Sequence, residues 1–154
     1  MPIAIRPAVP ADYPAVTRLI KQMHSEHAAA RPDRFLSEGP TYTKKEFAKT
    51  LRDSRLTWLV AVDEDDSVLG YAFCARSKWN ASILCLDEIC VDEAHRRQGI
   101  GTLLMDAAAE LASRIGASSL ELDVWEATPA PIQFYERYGM TVQRRRMELP
   151  INIQ

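Results

Sequence analysis

Residues Arg96-Arg97-Gln98-Gly99-Ile100-Gly101 put two glycines and two guanidinium groups between an apolar run and a segment of helical period. Glycine lets backbone N–H groups approach a ligand with no Cβ in the way. The first turn of a helix adds unpaired N–H donors and the positive end of a dipole, an arrangement that accepts a phosphate. Arg96 and Arg97 supply charge-assisted donors, His95 another when protonated, and Thr102 a hydroxyl. A P-loop requires Gly-Lys-Ser/Thr, whereas Gly101 is followed by Thr102 and Leu103. A dinucleotide fingerprint requires glycine at position 104, which is Leu104. Taken alone, the same six residues also describe a tight turn flanked by solvated arginines.

Upstream, Asp87 and Glu88 interrupt the apolar run 83–91, where an unpaired buried carboxylate is costly. Strand alternation predicts that they face opposite ways, so only one can enter a given cleft. Glu88 is the preferred proton acceptor and Asp87 the alternative; otherwise one faces solvent and the other pairs with an arginine. Tyr135, beside Phe134, offers a phenol that either packs or donates a proton. His24 and His27 are three apart, but no third ligand accompanies them, so solvated histidines near a helix end are expected and no metal. Cys74, Cys85 and Cys90 lack metal-type spacing. An odd number of thiols in apolar runs suits a reducing, cytoplasmic compartment.

The elements that must position these groups follow from periodicity. The opening Ile3-Ala4-Ile5-Arg6 reads as a strand, and Asp12 as the cap of a helix carrying Val16, Leu19, Ile20 and Met23. Thr43 and Glu46 have capping-box spacing, which starts a second helix. Residues 56–62, 68–75 and 83–91 form three strand candidates joined by short polar turns, an antiparallel meander. Ile100, Leu103, Leu104, Ala107, Ala108, Leu111 and Ile115 trace a helix face that ends at Gly116. A strand over 119–124, a short helix ending at Gly139 and a last strand over 141–149 complete the order β-α-α-β-β-β-α-β-α-β. The strand-helix-strand unit requires a parallel crossover, so the fold class is α/β with a mixed sheet and helices on both faces.

No linker or repeat divides the 154 residues, so a single domain over 1–154 is expected. A formal net charge of −2 argues against nucleic-acid binding. No segment approaches the roughly 20 apolar residues of a membrane span, and no apolar centre of a signal peptide opens the chain.

The Arg96–Gly101 turn matches the Gln/Arg-x-x-Gly-x-Gly/Ala motif and resembles that of the GNAT superfamily of acetyl-CoA-dependent N-acetyltransferases. The strand Glu88-Ile89-Cys90-Val91 before it, and the strand, loop, Phe134-Tyr135 helix and Gly139 turn after it, resemble that family in order from near residue 3 to near residue 149. The resemblance implies a GNAT-like acyl-CoA N-acyltransferase fold with a splayed central sheet, and acetyl-CoA as co-substrate. Backbone amides from Arg97 through Gln98, Gly99, Ile100 and Gly101 to Thr102 would bind the pyrophosphate, helped by the Arg96 and Arg97 side chains. The backbone of Ile89, Cys90 and Val91 would pair with the pantetheine arm. Tyr135 matches the family's general acid, Glu88 or Asp87 its base, often acting through water. The family often carries Asn where this chain has Thr128, which leaves a hydroxyl as the coenzyme contact and a helix cap.

In the family the first helix and following loop line the acceptor pocket, which makes His27, Arg31 and Phe35 substrate candidates. Trp79, Trp125 and Glu126 fall in loops that could flank it, with core or rim packing the alternative for both tryptophans. The activity implied is direct acetyl transfer to a primary amine in a ternary complex, the acceptor a small amine or amino-acid-like molecule. A non-catalytic acyl-CoA-binding or regulatory domain and a protein N-terminal or lysine acetyltransferase are the alternatives. Arg144 to Arg146 would lie on a solvated edge strand, open to pairing in a homodimer.

Overall fold

The computed structural model describes residues 2–151. Two compact units make up the chain: Met1–Asp123, which holds the whole sheet, and Val124–Gln154, which holds the last helix. The sheet runs β1 (Ala4–Pro7), β2 (Leu56–Val62), β3 (Val68–Arg76), β4 (Ile83–Val91) and β5 (Ser119–Glu121), neighbours in that order. The first three junctions are antiparallel and β4–β5 is parallel, as the crossover demanded. Helices α1 (Tyr13–Ala30), α2 (Lys44–Leu51) and α3 (Ile100–Arg114) belong to the first unit, and α4 (Pro129–Tyr138) to the second.

The expected element order holds as far as α4. The strand expected over 141–149 does not form; residues 140–151 take no regular structure. Val142 is 72%, Met147 90% and Leu149 82% exposed, so these apolar residues have no face to cover. Alternation supplies a face but not a ladder partner, and Arg144 to Arg146 interrupt the alternation itself.

α1 and α2 pack on one sheet face through Val16, Leu19, Ile20 and Phe47 against Trp58, Val60, Tyr71, Phe73 and Cys90. Trp58 is its hub: the ring stacks on Phe73 at 4.2 Å and meets Phe47 at 5.3 Å, while Nε1 donates to Thr50 Oγ1 at 2.9 Å. α3 covers the opposite face with Ile100, Leu104, Met105, Ala108, Leu111 and Ala112. Leu103, expected in that stripe, is 37% exposed. With both faces covered, β3 is buried from Val68 to Cys74, which explains its continuous apolar run.

The Thr43–Glu46 capping box forms as expected, with Thr43 N–H to Glu46 Oε2 at 2.7 Å and Glu46 N–H to Thr43 Oγ1 at 3.1 Å. Asp12 precedes α1 but does not cap it. Its buried carboxylate instead takes both Nη atoms of Arg6, at 2.8 and 3.0 Å, and the Val9 N–H at 2.8 Å. Burial alone would raise this carboxyl; the Arg6 and Val9 bonds outweigh it and hold Asp12 below the usual range. The guanidinium is a stronger partner than an α1 amide, which is why the cap is forgone.

Gly70 is fixed by a close approach. A Cβ there would lie 2.9 Å from the Cys90 carbonyl oxygen and 3.3 Å from Leu104 Cδ1. Gly70→Ala is therefore expected to cost about 1–3 kcal/mol, the range for overpacking a filled core. A lowered urea midpoint with unchanged m checks this.

Candidate functional site

At the turn after β4, Arg97 and Gly99 both have left-handed backbone, with φ of 62° and 79°. This double reversal brings the chain into α3. The first α3 bond outside the regular ladder is Leu103 N–H to the Gly99 carbonyl. The N–H groups of Gly99, Ile100, Gly101 and Thr102 open α3, where a helix offers them no acceptor of its own. A Cβ at Gly99 would meet nothing within 4 Å, so the concave side is open. The turn thus has the donors, dipole and space of an anion site.

Its two arginines are not equivalent. Arg96 is bound by Glu26 of α1 and points Nε at the Val91 carbonyl at 3.4 Å. Arg97 is exposed and forms no ion pair among the described residues. The charge the turn holds in reserve is therefore that of Arg97. His95 Nδ1 is buried without a hydrogen bond, 3.9 Å from Asp92 Oδ2.

β4 leads into this turn with one edge open. β5 pairs only with Ile83, Leu84 and Cys85, whereas β3 pairs as far as Val91. Asp92 N–H bonds the Leu69 carbonyl at 2.8 Å, so antiparallel alternation directs the Cys90 backbone to β3 and those of Ile89 and Val91 to the open side. This is the splay the resemblance implied, and it lies wholly within the first unit. Of the three residues expected to pair with an extended ligand, Ile89 and the Val91 N–H face the gap, the Val91 carbonyl accepts from Gln22 and Arg96, and Cys90 faces Tyr71.

A bulge decides where Glu88 goes. Phe73 opposes Glu88 while Cys74 opposes Leu86, leaving Asp87 as the extra residue. Leu84 and Leu86 turn to the α3 face; after the bulge Glu88 and Cys90 turn to the α1 face. Without it, Glu88 would sit among leucines beneath α3. Instead it reaches a cavity of about 490 Å³, lined by Ile20, His24, Tyr42, Glu46 and Lys49 among others. Tyr71 Oη donates to Glu88 Oε1 at 3.1 Å. Burial raises the Glu88 carboxyl above the ordinary range, against the Tyr71 bond and the His24 charge, which lower it. Asp87 is exposed, and its carboxyl is raised by desolvation and by Asp123. A half-buried carboxylate with a raised pKa in a cavity is suited to accept a proton near neutral pH.

The cavity wall departs from the expected substrate residues. His27 and Phe35 do come together, ring centroids 4.9 Å apart, but neither lines the cavity. His24, expected to be solvated, lines it and binds the Pro40 carbonyl through Nε2 at 2.7 Å. Tyr71 and Tyr42 were not singled out: Tyr71 reads as a core aromatic, and Tyr42 falls in a loop, where no periodic signal flags it. Trp79 is 96% exposed and packs in neither core nor rim. The Cys90 thiol is buried and pushed up to about 12 by desolvation, then by Glu26, which keeps it unreactive.

In the second unit, Tyr135 and Phe134 meet edge to face at 5.3 Å. Burial pushes the Tyr135 phenol up to about 12. Thr128 precedes α4 without capping it; its hydroxyl donates to the Trp125 carbonyl at 2.8 Å. Trp125 is 37% exposed.

The model of the acetyltransferase (GNAT) family matches residues 20–140. The chain belongs to the GNAT family. Streptothricin acetyltransferase of Streptomyces lavendulae is 39% identical over 87 residues, 56% of this chain and 44% of that protein. The chain thus spans under half the length of the relative it matches. Among solved structures, a tetramutant of the BH1408 protein of Bacillus halodurans is 31% identical, with a TM-score of 0.86 over 96% of this chain and 99% of that one. PaiA N-acetyltransferase of Thermoplasma acidophilum, solved in complex with coenzyme A, is 17% identical with a TM-score of 0.79 over 95% and 94%. That last likeness bears on the GNAT fold alone.

Among the described residues, no group of three or more His, Cys, Asp or Glu side chains is placed to hold a metal ion. No helix among them is long and apolar enough to cross a membrane.

Proposed function

We propose that this GNAT chain is an acetyl-CoA-dependent N-acetyltransferase, a single catalytic domain that acetylates a small primary amine by direct attack in a ternary complex. The observation that carries the reading is the β4 edge beyond Cys85, which β5 leaves unpaired, running into the amides of Gly99 to Thr102 at the start of α3. A strand-like arm ending in a pyrophosphate fits that sequence of donors and acceptors. Coenzyme A in the PaiA structure and the name of the streptothricin relative support the same chemistry.

In this reading the acceptor amine enters the Glu88 cavity, whose volume is that of a small-molecule site. Glu88 takes the ammonium proton, directly or through water, and the free amine attacks the thioester carbonyl. The C–S bond then breaks, Tyr135 protonates the leaving thiolate, and the surplus proton on the attacking nitrogen passes, directly or through water, to restore the phenol and give the neutral amide. Two carboxylates, Glu88 and Glu46, against the single ammonium of Lys49 favour a cationic acceptor over an acidic one. The raised Glu88 carboxyl favours an enzyme over a binding domain that has lost turnover.

Calorimetric titration with acetyl-CoA, dephospho-CoA and ATP tests the reading. Saturable binding that prefers acetyl-CoA is expected, and Gly101→Trp should weaken it at least tenfold by driving a side chain into the anion turn. Absence of acetyl-CoA binding, or wild-type affinity in Gly101→Trp, would remove the pyrophosphate from the turn.

A further inference from the structure

α1 carries Arg18, Gln22 and Glu26 at four-residue spacing, hence on one helix face. That face is bonded along residues 91–96. Arg18 Nη1 donates to Asp92 Oδ2 at 2.8 Å, and Glu26 binds Arg96. Between them, Gln22 bonds backbone on both sides of a junction: Nε2 donates to the Val91 carbonyl at 3.0 Å, and Oε1 accepts the Glu93 N–H at 3.2 Å. Nε2 also donates to Glu26 Oε1 at 3.3 Å. Val91 is the last residue of the open β4 edge, and Glu93 begins the short helical turn Glu93–His95 that leads to the glycine turn.

We infer that Gln22 is a positioning residue for the co-substrate. It fixes the angle at which the β4 edge runs into the anion turn, so that one extended ligand can bond to both. An amide suits this role because, uncharged, it offers a donor and an acceptor on two separate atoms at the end of a long side chain. A ligand held at two separated sites gains from their being set in advance, since the protein then loses less freedom on binding. The inference rests on the acetyl-CoA reading above. It adds that the acceptor-side helix governs co-substrate affinity by holding the Val91 carbonyl and the Glu93 N–H, without itself touching the ligand.

The test uses the full chain, with acetyl-CoA titrated by calorimetry and thermal melts run alongside. Gln22→Met keeps length and shape but removes both bonds; acetyl-CoA is expected to bind about tenfold more weakly, at a melting temperature within a few degrees of wild type. Glu93→Pro, read against Glu93→Ala to account for the lost carboxylate, removes the N–H that Gln22 accepts, at the first position of a helical turn where proline is tolerated, and is expected to cost about threefold relative to Glu93→Ala. The double variant should bind like Gln22→Met combined with Glu93→Ala, because the two changes break one bridge. Wild-type affinity in folded Gln22→Met, or losses that multiply in the double variant, would overturn the inference. A purely structural role would lower the melting temperature and leave affinity untouched, and that result would overturn it as well. If Gln22→Met does not fold, Glu93→Pro decides: a loss relative to Glu93→Ala supports the bridge, and affinity equal to that of Glu93→Ala overturns it. Failure of the wild-type chain to bind acetyl-CoA would be a different result, overturning the site reading itself.

Discussion

Glu88→Gln is expected to lower kcat by about 100- to 10,000-fold, the usual range for losing a positioned general base, while acetyl-CoA affinity stays within about twofold. The amide keeps the size of the side chain and can still accept the Tyr71 hydroxyl, so the cavity wall stays as it is. What it loses is the lone pair that takes an ammonium proton. The pH profile separates this from a packing role. A base works only when deprotonated, so kcat/KM rises with pH through the Glu88 pKa and levels off above it. Burial puts that pKa above the ordinary glutamate range, so the acid limb should lie above that of a solvent-exposed glutamate. Tyr71→Phe removes a hydrogen bond that favours the carboxylate and should move the limb to still higher pH. Wild-type turnover in Glu88→Gln, or an acid limb that survives there unchanged, would assign the base elsewhere.

Tyr135→Phe should lower kcat by about 10- to 1,000-fold with the acetyl-CoA dissociation constant nearly unchanged, since proton donation is needed only as the C–S bond breaks. A phenol raised to about 12 keeps its proton at neutral pH and so has one to give. A thiolate leaving in a desolvated site is raised in the same sense, which narrows the gap the proton must cross. Phenylalanine preserves the ring that meets Phe134, so the edge-to-face contact of α4 should persist and the melting temperature with it. Single-turnover release of thiol, followed against coenzyme affinity, distinguishes lost chemistry from lost binding. Unaltered turnover would leave Tyr135 as a packing residue.

Much of the framework was legible in residue order because its causes are local. The Thr43–Glu46 box is three residues wide, the α3 stripe repeats within one helix, and the glycine turn needs left-handed backbone at Gly99. Such features act over a few bonds, so spacing is enough to read them. The family motif worked for the same reason: the anion site is made of backbone, and its side chains matter mainly through what they leave out.

Other outcomes depended on contacts between different elements. Asp12 was fit to cap α1, but Arg6 reached it first across the β1 turn. The segment 141–149 had some strand alternation but no partner to complete a ladder. Arg96 belonged by position to the anion turn, yet Glu26, seventy residues earlier, holds its guanidinium. His24 passed for a solvated helix-end residue until the Pro40 loop folded over it.

Glu88 draws the line most clearly. The sequence by itself determined the element order to α4, the backbone anion turn, and a carboxylate in the strand before it. Only the tertiary structure decided which way that carboxylate points. The bulge at Asp87 exists only in the pairing of β4 with β3, and a single extra residue exchanges the two faces of everything after it.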